Sequence, residues 1–191
     1  TNLSRPYAGW ENLVRESAKH YDMFLCGSDQ LWLPNNLGSH FYTLEFAPDN
    51  KPKIAYATSF GVSQIPKRQK KTTAKYLNRF QWLSTRELAG QKIIQELTGK
   101  KASVVCDPTL LFDAKGWEQM IPKRKIIEEP YVFCYFLGTN EEHRKAANEF
   151  KKTGLKLVTC PFLDNFVEKD QQFGDIQMFD MDAADFVNII R

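Results

Sequence analysis

Four short apolar runs, each closed by a polar cluster and followed by loop or helical periodicity, constrain this chain more than any other feature. They lie at 21–26, 53–58, 80–84 and 102–106. Strands that alternate with helices predict parallel sheets in an α/β architecture. The run Ile54-Ala55-Tyr56-Ala57 is uninterrupted by charge, as expected of a strand covered on both faces. Before the first run, Trp10, Leu13 and Val14 recur at helical spacing within 1–20. A helix is predicted over 66–79 with Pro66 in its first turn. Another is predicted over 86–97, stopped by Thr98-Gly99. A short one over 114–120 takes Asp113 as its N-cap.

The composition then shifts. Ile121-Pro122-Lys123-Arg124-Lys125-Ile126-Ile127-Glu128-Glu129-Pro130 is charged and bracketed by prolines, which reads as a boundary. Beyond it, a strongly apolar strand at 131–137, a helix at 141–152 and a strand at 155–160 form a fresh β-α-β unit. A loop is expected over 162–174 and a short strand over 175–179. The predicted organisation is an α/β domain at 1–122, a linker at 123–129 and the start of a second α/β domain at 130–191. The chain opens on Thr1 and stops within a helical pattern at 183–191. A fragment of a longer protein, incomplete at both ends, is therefore expected.

The bulk numbers narrow the function classes. Hydrophobic residues at 42% and charged residues at 26% are ordinary for a globular protein. A net charge of +3 makes no case for nucleic acid. No apolar run approaches a membrane span, and no signal peptide is visible. Cys26, Cys106, Cys134 and Cys160 form no C-x-x-C pair. They read as buried, reduced thiols, which speaks against zinc and for a cytoplasmic protein. Lys67, Arg68, Lys70, Lys71, Lys75 and Arg79 crowd one helix and read as a solvated face. A phosphorylated or lipid-linked acceptor near an anionic membrane surface would also suit them. His20, His40 and His143 lie too far apart in sequence to suggest a triad or metal set.

The polar clusters at the strand exits are where an open α/β sheet binds ligands. Gly27-Ser28-Asp29-Gln30 reads as an anion or acceptor site. Gly27 permits close backbone approach, and the amides after it would point at an anion if a helix begins there. Asp29 would serve as general acid or base if burial raises its pKa. The competing reading makes Ser28 or Asp29 a plain helix cap. In Ser84-Thr85-Arg86-Glu87 either Ser84 or Thr85 would cap the next helix. Arg86 would then oppose the helix dipole in the first turn. That misplacement suits a clamp on phosphate or carboxylate, or equally an ion pair with Asp29, Glu87 or Asp107. Asp107-Pro108-Thr109 reads as a turn, and Ser59-Phe60-Gly61 as a loop lining the pocket.

At these same residues the chain resembles the polysaccharide pyruvyl transferase family. The matching stretches are Tyr21-Asp22 through Gly27-Ser28-Asp29-Gln30-Leu31-Trp32, Ile54-Ala55-Tyr56-Ala57-Thr58-Ser59-Phe60-Gly61, Ser84-Thr85-Arg86-Glu87 and Asp107-Pro108-Thr109-Leu110-Leu111, followed by Trp117. Leu33 departs from the Asn that commonly follows the tryptophan. The resemblance implies Rossmann-like parallel-sheet domains in a GT-B-like arrangement. It implies transfer of pyruvate from phosphoenolpyruvate, as donor substrate, to a sugar of a bacterial cell-surface polysaccharide, giving a ketal. The acceptor would be a glycan or lipid-linked sugar, met in the cytoplasm or at the inner membrane surface, with no metal or other cofactor. Asp29 and Arg86 are the expected catalytic pair. Gly27, Ser28, Gln30, Ser59 and Arg86 are expected to bind substrate. A Ser-Phe-His-Gly segment of the family is not present, so this fragment is expected to be inactive alone. The alternatives are a GT-B glycosyltransferase using a nucleotide sugar and a non-catalytic glycan-binding module.

Overall fold

The computed structural model describes residues 3–35, 37–161 and 167–191. The chain divides into two compact units, Thr1–Phe112 and Asp113–Arg191. The first contains α1 (Gly9–His20), β1 (Phe24–Gly27), β2 (Lys53–Thr58), α2 (Lys70–Asn78), β3 (Trp82–Thr85), α3 (Leu88–Thr98) and β4 (Ser103–Val104). Its four strands are all parallel, in the order β1-β2-β3-β4. With every strand pointing the same way, the polar clusters that follow them come out at one edge of the sheet. This is the ordinary ligand end of such a sheet.

The second unit contains α4 (Ala114–Met120), β5 (Tyr131–Cys134), α5 (Glu141–Glu149), β6 (Lys156–Thr159), β7 (Ile176–Gln177) and α6 (Ala183–Ile190). Its three strands are also parallel, in the order β5-β6-β7. Both units are therefore Rossmann-like α/β. Asp113 caps α4 as predicted, accepting the Gly116 amide at 2.8 Å. The division falls earlier than the sequence suggested, and α4 goes with the second unit. The charged segment at 121–130 is not a free tether. Asn188 on α6 accepts the Arg124 amide at 3.0 Å, and the Tyr131 hydroxyl donates to the Ile189 carbonyl at 2.8 Å. Arg124 also pairs with Asp185 on the same helix. Backbone hydrogen bonding of this kind outweighs a polar composition. Within the loop expected at 162–174, residues 162–166 lie outside the described residues, and Glu168–Gln171 forms a short 3-10 turn.

The core of the first unit is aromatic and centred on Trp32, which is fully buried. Its ring meets Phe60 at 5.2 Å, Phe80 at 5.4 Å and Tyr76 at 5.8 Å between centroids. Its indole N–H donates to the Tyr42 carbonyl at 3.0 Å. A residue of the first exit segment is thus driven into the core. Its burial pulls the polar residues before it into place.

β2 carries an irregularity that matters for the site. Its register with β3 shifts between Ala55 and Thr58, and Ala57 has a left-handed φ of 55°. Such a conformation costs an alanine about 1 kcal/mol or more. The Ser84 hydroxyl spans the break, donating to the Ala55 carbonyl at 3.0 Å and accepting the Ala57 amide at 3.1 Å. A side chain from β3 thus replaces the missing ladder partner, and the bulge re-aims the end of β2. Ser84 is therefore not the helix cap it was expected to be.

In the second unit, Arg144 and Asp170 form a buried ion pair. Arg144 also donates to the Asn140 carbonyl at 3.1 Å and the Gly138 carbonyl at 2.9 Å. A buried charge tolerates such a place only when its donors are satisfied, and here they tie the segment after β5 to the turn at Glu168–Gln171. Three of the four cysteines are buried or half-buried as expected, and burial pushes the Cys26 thiol up to about 12. Cys106 is exposed, because β4 ends at Val104 and the chain has already left the sheet.

Candidate functional site

The β1 exit is built from strained backbone. Ser28 and Asp29 have φ values of 50° and 59°, both left-handed. Ser and Asp are tolerated there better than bulkier residues, at about 1 kcal/mol or more each. Four hydrogen bonds hold the conformation. The Ser28 amide donates to the Tyr56 carbonyl at 2.8 Å, and the Ser59 amide to the Asp29 carbonyl at 2.9 Å. The Ser28 hydroxyl donates to Asp107 Oδ2 at 2.5 Å. Asp29 Oδ1 accepts the Gln30 amide at 2.7 Å. No helix begins here. Residues 31–35 run through turns, because the two left-handed residues send the chain towards β2 and Trp32 then plunges into the core. Both the cap reading and the helix-amide reading of Gly27-Ser28-Asp29-Gln30 are corrected by this geometry. Gly27 itself has room for a Cβ, whose nearest neighbour would be the Tyr56 carbonyl at 3.9 Å. The Gln30 side chain lies exposed against Gly61, where a Cβ would stand 3.0 Å from its amide carbon.

The β3 and β4 exits meet this segment through Arg86 and Asp107. Arg86 Nη1 donates to Asp107 Oδ2 at 2.9 Å, and Nη2 reaches Asp29 Oδ1 at 3.4 Å. Asp107 is the hub. Its other oxygen accepts the Thr109 amide at 3.0 Å and the Thr109 hydroxyl at 2.8 Å. The turn role expected of Asp107 is thus present, with a tie to Ser28 and Arg86 added to it. The Ser28 hydroxyl first, then the Thr109 amide and hydroxyl, hold the Asp107 carboxyl well below the usual carboxylate range, with Arg86 adding to the effect.

Asp107→Asn is therefore expected to cost about 1–3 kcal/mol at neutral pH. A depressed carboxyl pKa stabilises the fold above the unfolded value of about 3.9, and the contribution is lost as pH falls through the folded value. Below pH of about 4 the parent should lose stability more steeply than the variant. Urea unfolding across an acidic pH series checks this. Parallel slopes would refute the role of Asp107.

The helix after β3 starts later than predicted. Glu87, not Ser84 or Thr85, occupies the N-cap of α3, and its side chain makes no capping bond. Arg86 therefore stands before the helix rather than in its first turn, and two carboxylates answer its charge. The Glu87 carboxylate turns instead to β2. Its Oε1 accepts the Ser59 hydroxyl and the Phe60 amide, each at 3.1 Å. Ser59 is buried and its hydroxyl also accepts the Gly61 amide at 3.0 Å. That hydroxyl is fully engaged within the loop rather than displayed outside it.

The structure thus brings Ser28, Asp29 and Arg86 together with Asp107, and of the three ion-pair partners expected for Arg86 it is Asp29 and Asp107 that meet it. Glu87, the third, bonds Ser59 and Phe60 instead. Tyr56 belongs to the same neighbourhood. Loss of surrounding water raises its hydroxyl pKa, and Cys106 and Asp107 act in the same direction. His40 is held elsewhere, with Nδ1 2.7 Å from Glu45 Oε2. Among the described residues, no three His, Cys, Asp or Glu side chains form a metal-ligand group. No helix among them is long and apolar enough to cross a membrane.

A parallel α/β unit that gathers an arginine and two carboxylates from three strand exits belongs to the class that handles ligands at the carboxyl ends of its strands. The family model described as polysaccharide pyruvyl transferase matches residues 2–173 of the 191-residue chain. The chain belongs to this family of transferases. No match was found among curated proteins or among solved structures.

Proposed function

We propose that the chain serves transfer of pyruvate from phosphoenolpyruvate to two hydroxyls of one sugar in a cell-surface polysaccharide. The observation that carries this reading is the Asp29–Arg86–Asp107 cluster, assembled from three strand exits. The donor has a carboxylate and a phosphate, which call for a planar two-armed cation such as Arg86. The Asp29 arm is long at 3.4 Å and its carboxylate side chain is 82% exposed. The donor anion takes that arm, while the 2.9 Å bond to Asp107 keeps the guanidinium aimed. One cation against two carboxylates does not by itself balance the donor.

The chemistry balances without oxidation or reduction. A proton added to the donor methylene leaves positive character on the adjacent carbon. One sugar hydroxyl attacks that carbon and loses its proton. Phosphate then leaves with the bonding pair, and the second hydroxyl closes the ketal and loses its own proton. Asp29 has an oxygen, Oδ2, with no hydrogen-bond partner among the described residues. It supplies a proton, steadies the cationic carbon or accepts a hydroxyl proton. The burial on which its acid role was conditional is not present, since the side chain is 82% exposed. The same reading makes phosphoenolpyruvate the donor substrate with no further cofactor. It places the reaction in the bacterial cytoplasm, on a free or lipid-linked exopolysaccharide precursor.

The test incubates the full-length protein that carries this chain with phosphoenolpyruvate and candidate polysaccharides, following phosphate release and the mass of the glycan. Phosphate release matched by one ketal per modified sugar is expected. Saturable binding of a nucleotide sugar, with no phosphate released from phosphoenolpyruvate, would overturn the reading.

A further inference from the structure

We propose that Glu87 is a positioning residue that sets the separation of Asp29 and Arg86. The inference rests on the reading of those two groups as facing substrate. Glu87 follows Arg86 directly, so the two share one backbone turn between β3 and α3. Arg86 reaches Asp29 by its guanidinium at 3.4 Å. Glu87 reaches the segment behind Asp29 by its carboxylate, taking the Ser59 hydroxyl and the Phe60 amide at 3.1 Å each.

Ser59 is the node that passes this anchoring on. Its amide donates to the Asp29 carbonyl at 2.9 Å, and its carbonyl accepts the Trp32 amide at 3.1 Å. Its hydroxyl is spent on Glu87 and the Gly61 amide. Every polar atom of this buried residue therefore fixes either the β1 exit or its own loop. Asp29 holds a left-handed φ of 59°, a conformation that persists only where surrounding bonds impose it. Cutting the Glu87 bonds leaves the Ser59 side chain held only by the Gly61 amide and loosens that constraint. The fit around the carboxylate is close. A Cβ at Gly90 would stand 2.3 Å from Thr85 Oγ1 and 3.0 Å from Glu87 Oε1, so glycine in the first turn of α3 leaves the space in which Glu87 folds back. The amino end of α3 also favours negative charge at this position.

The experiment compares Glu87→Ala and Glu87→Gln with the parent, each in the full-length protein, by amide hydrogen exchange and by steady-state kinetics with phosphoenolpyruvate and polysaccharide. In Glu87→Ala, exchange at Phe60 and Gly61 should quicken at least about tenfold. Its kcat should fall at least about tenfold, with kcat carrying more of the loss than KM. Glu87→Gln keeps an acceptor oxygen and should restore both to within about threefold. Where Glu87→Ala fails to fold, Glu87→Asp, one methylene short of Ser59, takes its place with the same expected direction. Unchanged exchange at those amides overturns the anchoring whatever the activity. Quickened exchange with an unchanged kcat overturns the positioning role. If the parent turns over no phosphoenolpyruvate, the function reading fails, and the exchange data still decide whether Glu87 anchors the loop.

Discussion

On the proposed function, Arg86→Ala in the full-length protein is expected to lower pyruvyl transfer at least about 100-fold, because it would remove the cation aimed at the donor. Phosphoenolpyruvate affinity should fall with it in a calorimetric titration. Stability should change little. The pair with Asp29 is mostly exposed and worth about 0–1 kcal/mol. Asp107 keeps its bonds from Ser28 and Thr109. Arg86→Lys separates charge from shape, since it retains a cation but not two arms in one plane. It should recover only part of the loss. An alanine variant that binds phosphoenolpyruvate as tightly as the parent would remove Arg86 from the site.

Trp32→Ala is expected to be the most destabilising single change in the first unit, at about 3–5 kcal/mol. That is a large share of the total stability of a typical domain. The ring is fully buried against Phe60, Tyr76 and Phe80, and its N–H would no longer satisfy the Tyr42 carbonyl. Urea unfolding followed by circular dichroism should show a much lower midpoint. Trp32→Phe should recover part of it by keeping an aromatic ring without the N–H. This separates two readings of the Gly27-Ser28-Asp29-Gln30-Leu31-Trp32 stretch. A tryptophan that contacts substrate would cost activity with stability intact, whereas the buried ring costs stability first.

Much of the fold was legible because strand and helix patterns are local. β2 occupies Lys53–Thr58 as the apolar run predicts, and α4 occupies Ala114–Met120 behind its Asp113 cap. Errors gathered at the exits. Two candidate caps, Ser84 and Thr85, were chemically suitable. Yet Ser84 was needed to mend the β2 bulge and Thr85 is wholly buried. A hydroxyl that suits a cap also suits a bulge, and only the neighbouring strand decides between them. The segment at 121–130 shows the same limit. Its charges and prolines describe a linker, but Asn188, some sixty residues on, supplies its hydrogen bonds.

The sequence by itself determined the α/β class, the parallel order implied by alternating elements, and the presence of polar residues at four strand exits. These depend on periodicity and on the turn chemistry of neighbours in the chain, which each stretch carries within itself. Tertiary structure alone decided how those exits are wired. It tied Asp107 to Ser28 and Arg86, turned the Glu87 carboxylate at the start of α3 into an anchor for Ser59, and imposed left-handed backbone on Ser28 and Asp29. Such roles depend on which donor finds which acceptor across separations of 21 to 79 residues. Parallel pairing and the burial of Trp32 set those distances, and no local stretch contains them.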